Sequence, residues 1–185
     1  MKLQVLHTLL ATLFLTTLLH SETVGPPAWM KKVTRLPPGG HADLRPVQLE
    51  YNLSWNNKVN AGKVEVAVVR TGENKVRFVG NAEGKSTGFA RLLWPYDFRA
   101  RSIVDEESLR PLTFQLSERE RNEESSYDII FEPKRQVYTT TSKKGNEDSR
   151  TATTRFKFDF GQDLLSSAFY LRSQPLKDGE SISMV

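Results

Sequence analysis

Cysteine is absent from this 185-residue sequence. Its absence excludes a disulfide framework, a thiolate metal site, a cysteine nucleophile and a lipid-modified N-terminal cysteine. Histidine is nearly as scarce: His7 and His20 lie in or beside an N-terminal apolar run, and His41 lies in a stretch rich in proline and glycine. One histidine beyond that run, on a segment without periodicity, equips a protein poorly for general-base catalysis or a histidine-rich metal centre. No H-E-x-x-H, P-loop or G-x-G-x-x-G pattern occurs, and the one G-x-S-x-G match, Gly84 to Gly88, has no histidine after it in the chain to complete a triad in the order a nucleophile elbow uses. A large block of one charge is missing too. The formal net charge of +4 comes from interleaved acids and bases, with only small clusters at Lys31-Lys32 and Lys143-Lys144, whereas a nucleic-acid partner needs a basic face. The absences argue against an enzyme, against a cofactor or metal, and against nucleic acid.

What is present begins with "MKLQVLHTLLATLFLTTLLHSETVG": Lys2, an apolar run from Leu3 to Leu19, and a polar exit through His20, Ser21 and Glu22. This is the layout of a secretory signal peptide over residues 1–21. As an anchor the run is close to long enough to span a bilayer, but no Lys/Arg block follows at once as a stop-transfer signal. The expectation is export to a Gram-negative-type periplasm, cleavage near Glu22, and no transmembrane segment thereafter. Residues 22–46 carry paired prolines and paired glycines without periodicity, which reads as an extended, weakly ordered linker.

From Val47 the pattern changes to period two. Leu49, Tyr51, Leu53 and Trp55 alternate with Glu50, Asn52 and Ser54; Val64, Val66 and Val68 alternate with Lys63, Glu65 and Ala67. Turn signals at Asn56-Asn57 and Thr71–Asn74, then strand patterns near residues 76–80, 96–101, 112–116, 127–131, 137–141 and 151–158, predict an antiparallel meander with polar connections, among them "SERERNEESS", "EPKRQ" and "KKGNED". Two helical interruptions are predicted. Ser86 or Thr87 caps a turn with Phe89, Leu92 and Leu93 on one stripe, ended by Pro95; Asp163 caps a helix with Leu164, Leu165, Ala168, Phe169 and Leu171, stopped before Pro175. The expected fold is mainly β: a curled antiparallel meander, half-barrel or open barrel, with both short helices packed on its concave face. After a turn at Asp178-Gly179, Ser181 to Val185 alternate like the start of a strand, so the 47–185 domain reads as incomplete at its C-terminal end.

The densest candidate site is "GFARLLWPYDFRAR". It reads as an aromatic cavity wall, with Arg91, Arg99 and Arg101 at the mouth for an anionic head group, as a nucleic-acid stacking surface, or as a core helix whose arginines reach water. On the cavity reading the ligand-binding residues are Phe89, Leu92, Leu93, Trp94, Tyr96, Phe98 and Arg99, joined by Leu165 and Phe169 from the second helix. Carboxylates cluster at Asp105, Glu106 and Glu107 and at Asp159 and Asp163, all at predicted turns and caps, where aspartate is favoured by local hydrogen bonding alone. Asn52-Leu53-Ser54 has the form of a glycosylation sequon but lies within a predicted strand.

The pieces "LEYNLSWNNKVNAGKVEV", "STGFARLLWPYDFRARSIVDEESLRPLTFQ", "DIIFEP" and "DLLSSAFYLRSQPLKDGES" resemble, in order, the landmarks of the bacterial exported family called domain of unknown function (DUF) 3108. Tyr51 and Trp55 match its Y-x-x-x-W, Ala61-Gly62 its A-G, Thr87-Gly88 the "tG" before a short helix, Asp105, Ser108, Leu109 and Pro111 its D-x-x-S/T-L-x-P, and Asp163 to Gly179 its last helix and P-L-x-x-G turn. The resemblance implies an envelope β domain, carries no established activity, and implies further strands after that turn. The layout is similar to the half-barrels of periplasmic lipoprotein carriers at the level of fold. Two functions compete. One is a non-enzymatic periplasmic binding or carrier protein for an apolar or lipid-like ligand. The other is an envelope assembly or scaffold protein that binds another protein through a sheet edge.

Overall fold

The computed structural model describes residues 31, 33, 37–40, 44–72, 77–135, 137–155, 161–179 and 181–184. The chain divides after Val33 into two units, and the elements described below belong to the second, Thr34–Val185. In chain order the elements are β1 (Val47–Trp55), β2 (Val59–Thr71), β3 (Arg77–Ser86), α1 (Gly88–Leu93), β4 (Tyr96–Asp105), β5 (Pro111–Glu120), β6 (Glu123–Glu132), a 3-10 turn at Pro133–Arg135, β7 (Val137–Lys144), β8 (Arg150–Arg155) and α2 (Leu164–Ser173). The strands form one sheet in the order β1 to β8, each antiparallel to the next, and it is not closed. This is the mainly β meander with two short helices that the alternation predicts.

Register sorts the side chains, because directly paired residues share a face and successive residues alternate. Val47, Val68, Gly80, Ser102, Phe114 and Ile129 form one row across six strands. Leu49, Val66, Ala82, Ala100, Leu116 and Tyr127 form the next row on the same face. The other face carries Glu50, Glu65, Glu83, Arg99 and Ser117 in one row. One face is apolar and the other is charged.

Helix α2 lies on the apolar face. Phe169 packs with Val68, Phe78, Val104 and Leu109, while Leu165 packs with Ala82, Ala100 and Phe114. Phe169 meets the Phe78 ring edge-on at 6.2 Å, a favoured aromatic geometry. Gly80 makes this approach possible: a Cβ there would stand 2.8 Å from Phe169 Cζ and 3.4 Å from Leu165 Cβ. At its N-terminus, Asp163 accepts from the N–H groups of Leu165 and Ser166, and the Ser166 hydroxyl accepts from the Asp163 N–H, a reciprocal capping box. The second carboxylate oxygen accepts from the buried Ser102 hydroxyl at 2.6 Å, so the cap also fastens the helix to β4.

The last part of the expected linker joins this body. Leu44 is a core residue beside Phe169, Gly39 N–H donates to Ser173 Oγ, and Gln174 Nε2 donates to the Pro37 carbonyl. Leucine at position 44 has an apolar pocket to fill, which proline and glycine counts around it do not reveal.

Other expectations are corrected. Helix α1 does not share the face with α2, since it buries none of its residues. It spans the connection between β3 and β4, whose ends are paired at Lys85 and Asp97, and so short a connection keeps the helix at the end of the sheet. The stretch "SERERNEESS" is not a loop: β5 and β6 run through it to Glu120 and from Glu123, and Arg121, at φ 56°, makes the tight turn between them. Cross-strand pairing overrides the poor strand propensity of the charges. Ser181 to Met184 form no strand. The predicted turns at Asn56-Asn57, both at positive φ, and at Asp178-Gly179 are present. Residues 73–76 and 156–160 lie outside the described set, so the turn expected at Glu73-Asn74, the strand expected to Phe158 and Asp159 do as well.

Candidate functional site

The footprint of α2 covers only part of the apolar face. Beside it, half-buried Val66, Phe98, Leu116, Ile129 and Phe131 flank the Leu165 cluster. Further along the same face Val64 is half-buried, Tyr51 and Leu53 are about half exposed, and Tyr127 is partly exposed. Small residues make the floor of this strip flat. Ala82 pairs with Ala100, and Gly84 leaves room for Phe98, whose Cε1 would stand 2.2 Å from a Cβ at position 84. The strip is apolar, accessible and bounded along one side by α2.

Its far end is polar. The Tyr96 ring stacks on Trp94 at 4.9 Å and 16°. The Tyr96 hydroxyl donates to Glu118, and Trp94 Nε1 donates to Glu120 at 2.8 Å. Burial, reinforced by the bond to Glu118, pushes the Tyr96 hydroxyl up to about 12, so it remains a donor at neutral pH.

The opposite face is a ladder of ion pairs. Lys63 bridges Glu50 and Glu65, each at 2.9 Å; Arg99 faces Glu83 at 3.5 Å; Arg119 reaches Asp97 at 3.3 Å. A cleft of about 470 Å³ lies among them. Arg91 binds Asp97 with two nitrogens, at 2.5 and 3.0 Å, and with Arg119 holds that carboxyl below its usual range. Each acid here faces a base, so the cleft carries balanced charge rather than a field of one sign.

The sequence-predicted ligand residues therefore fall into separate places. Tyr96, Phe98, Leu165 and Phe169 are on the apolar side of the sheet, with Leu165 and Phe169 in the packed core. Arg99 and Arg101 project from the other face, because they are one residue out of phase with Phe98 and Ala100 on a period-two strand. They do not guard the mouth of the apolar strip, and Arg91 is turned to Asp97. Phe89, Leu92, Leu93 and Trp94 belong to the exposed end of the sheet. Val66, Leu116 and Tyr127, absent from the predicted set, are brought to the strip by strand pairing. Aligning the alternating residues of all strands into rows is the signal that would have found them.

The acidic turn after β4 has a structural role. Asp105 Oδ1 accepts from the N–H and hydroxyl of Ser108, and Leu109, at φ 50°, is fully buried. Burial raises the Asp105 carboxyl, but the two Ser108 bonds, the Glu107 N–H and the nearby Arg77 charge together hold the group below its usual range. Among the described residues no three His, Asp or Glu side chains gather as a metal site requires, and no helix is long and apolar enough to cross a membrane.

Fold and site together define a class: an open eight-stranded antiparallel meander with one helix laid across part of its apolar face. Residues 50–185 match the model of a family described as protein of unknown function (DUF3108), and the chain belongs to that family. No curated protein and no solved structure matches the chain.

Proposed function

We propose that this is an exported, non-enzymatic binding or carrier protein that receives an apolar or lipid-like ligand on the strip beside α2. The observation that carries the reading is the continuation of the apolar face past the α2 footprint, through Val64, Val66, Phe98 and Leu116, none of them fully buried. A face built only to be a core would be closed over by the helix that covers its other half. Export rests on the N-terminal run with its polar exit, and the periplasm is the matching compartment.

The test is saturable binding of a fluorescent fatty acid. Val66→Glu and Leu116→Glu each place a charge on the strip and should weaken the probe by about tenfold or more. Ser117→Glu, on the opposite face beside Arg99, should leave it unchanged. Absence of saturable binding, or equal weakening by all three, would remove the strip as the ligand site.

A second reading has its own observation. Among the described residues β1 has a sheet neighbour on one side only, and it exposes Tyr51, Leu53 and Trp55. An edge of this kind accepts an added strand from a partner protein. Photo-crosslinking from Asn52 in intact cells distinguishes the two, since a carrier leaves that edge uncrosslinked while still binding the probe.

A further inference from the structure

At one end of the strip beside α2 the side chains change from hydrocarbon to aromatic rings and acids. Along β4 the rings of Phe98, Tyr96 and Trp94 follow one another, Phe98 to Tyr96 at 6.1 Å and Tyr96 to Trp94 at 4.9 Å. Phe98 flanks the Leu165 cluster, so this ladder of rings begins within the strip. On the neighbouring strand Leu116, Glu118 and Glu120 keep step with it, because they pair with Ala100, Phe98 and Tyr96 and share their face. Rings and carboxylates therefore run side by side out of one apolar surface.

Neither glutamate has a basic partner. Glu118 accepts from the Tyr96 hydroxyl and Glu120 from the Trp94 indole N–H. Both donors are neutral, and a neutral donor orients a carboxylate without cancelling its charge. Each bond uses Oε1, and Oε2 of either residue has no partner among the described residues. The bases nearby are placed elsewhere: Arg91 and Arg119 on Asp97, a residue of the opposite face, and Lys144 on Glu123. Arg121, in the β5–β6 turn, forms no ion pair among the described residues. That single base stands against two carboxylates, so this end of the strip keeps an excess of acid.

We propose that the ligand of the strip is an amphiphile with a cationic head: its chain lies along Val66, Phe98 and Leu116, and its ammonium group sits beside Tyr96 and Trp94, within reach of the Glu118 and Glu120 carboxylates. This rests on the reading of the strip as the ligand site and adds to it the chemistry of the head group. A cation is attracted both by the aromatic faces and by the two acids. A fatty-acid carboxylate meets like charges at the same place and is held by its hydrocarbon alone. The charge of the whole chain does not account for a preference of this kind, because a formal net charge of +4 favours anions. Only the local pair of glutamates reverses the sign.

The experiment compares dodecyltrimethylammonium with dodecanoate, both below the concentration at which they form micelles, by equilibrium dialysis against the full chain at low salt. The ammonium compound should bind about tenfold more tightly, and added salt should narrow the gap. Glu118→Gln with Glu120→Gln should bring the two affinities within about twofold of each other. The urea midpoint of that variant should be unchanged, since an amide oxygen still accepts from Tyr96 and Trp94. Leu116→Glu separates the two ways of failing. If it weakens dodecanoate while the wild type shows no preference for the ammonium head, or a preference that survives the double substitution, the strip stands and the cationic head group is overturned. If Leu116→Glu leaves dodecanoate binding unchanged, the strip itself falls as the ligand site, and the head-group assignment falls with it.

Discussion

Phe169→Ala is expected to cost about 3–5 kcal/mol of unfolding free energy, read as a lowered midpoint in a urea melt. The ring is 3% exposed and packs with Leu44, Val68, Phe78, Val104 and Leu109. Its removal should fall at the upper end of that range, because the sheet beneath it at Gly80 has no side chain with which to refill the space. The same geometry predicts a reversal of sign. Gly80→Ala in the wild type drives a methyl against Phe169 Cζ, 2.8 Å from the new Cβ, and should destabilise by about 1–3 kcal/mol. In the Phe169→Ala background that methyl enters an empty site and relieves a strand glycine, so it should stabilise by roughly 0.5–1 kcal/mol. A double-mutant cycle measures the difference. Additive effects would show that α2 does not sit on Gly80.

The same contacts show why the sequence told so much of the fold and so little of the site. Strand existence followed from alternation such as Leu49-Tyr51-Leu53 and Val64-Val66-Val68, because one face is apolar and the other charged. The α2 boundaries followed from Asp163 and Pro175, which act locally. Helix α1 was also legible as a helix, but its apolar stripe was misassigned to the sheet face. Spacing reports that Phe89, Leu92 and Leu93 share a side, and only the length of the β3–β4 connection decides what that side can reach. Strand ends were hidden by charge: Ser117 to Ser126 looks like a loop until register pairs Glu118 with Ser125 and Arg119 with Glu124. The strip beside α2 is a property of rows that cross six strands, and no single segment contains it. Leu44 shows the same limit, a core residue in a segment whose composition is that of a linker.

Asp163 is the second position where a single side chain should carry a large effect. Asp163→Ala removes the acceptor for Leu165 and Ser166 N–H and leaves the fully buried Ser102 hydroxyl without its partner. A lost cap costs about 1 kcal/mol and a stranded buried hydroxyl about 1–3 kcal/mol, so the expected loss is about 2–4 kcal/mol. Asp163→Asn should cost much less, since its amide oxygen still accepts from the helix and its amide nitrogen faces Ser102. The pair also fixes a pH dependence. Burial pushes the Asp163 carboxyl above its usual range, more than the bonds from Ser102, Ser166 and Leu165 lower it. A carboxyl raised in the folded state contributes stability that is fully present below its unfolded value, about 3.9, and is lost as pH rises through the folded value. Asparagine does not titrate, so the stability of the wild type relative to Asp163→Asn should fall on going from about pH 4 to about pH 7. Urea melts of both proteins across that window provide the measurement. A wild-type advantage that grows with pH would mean that the three hydrogen bonds to the carboxylate outweigh its burial, and that α2 is fastened to β4 by a charged cap.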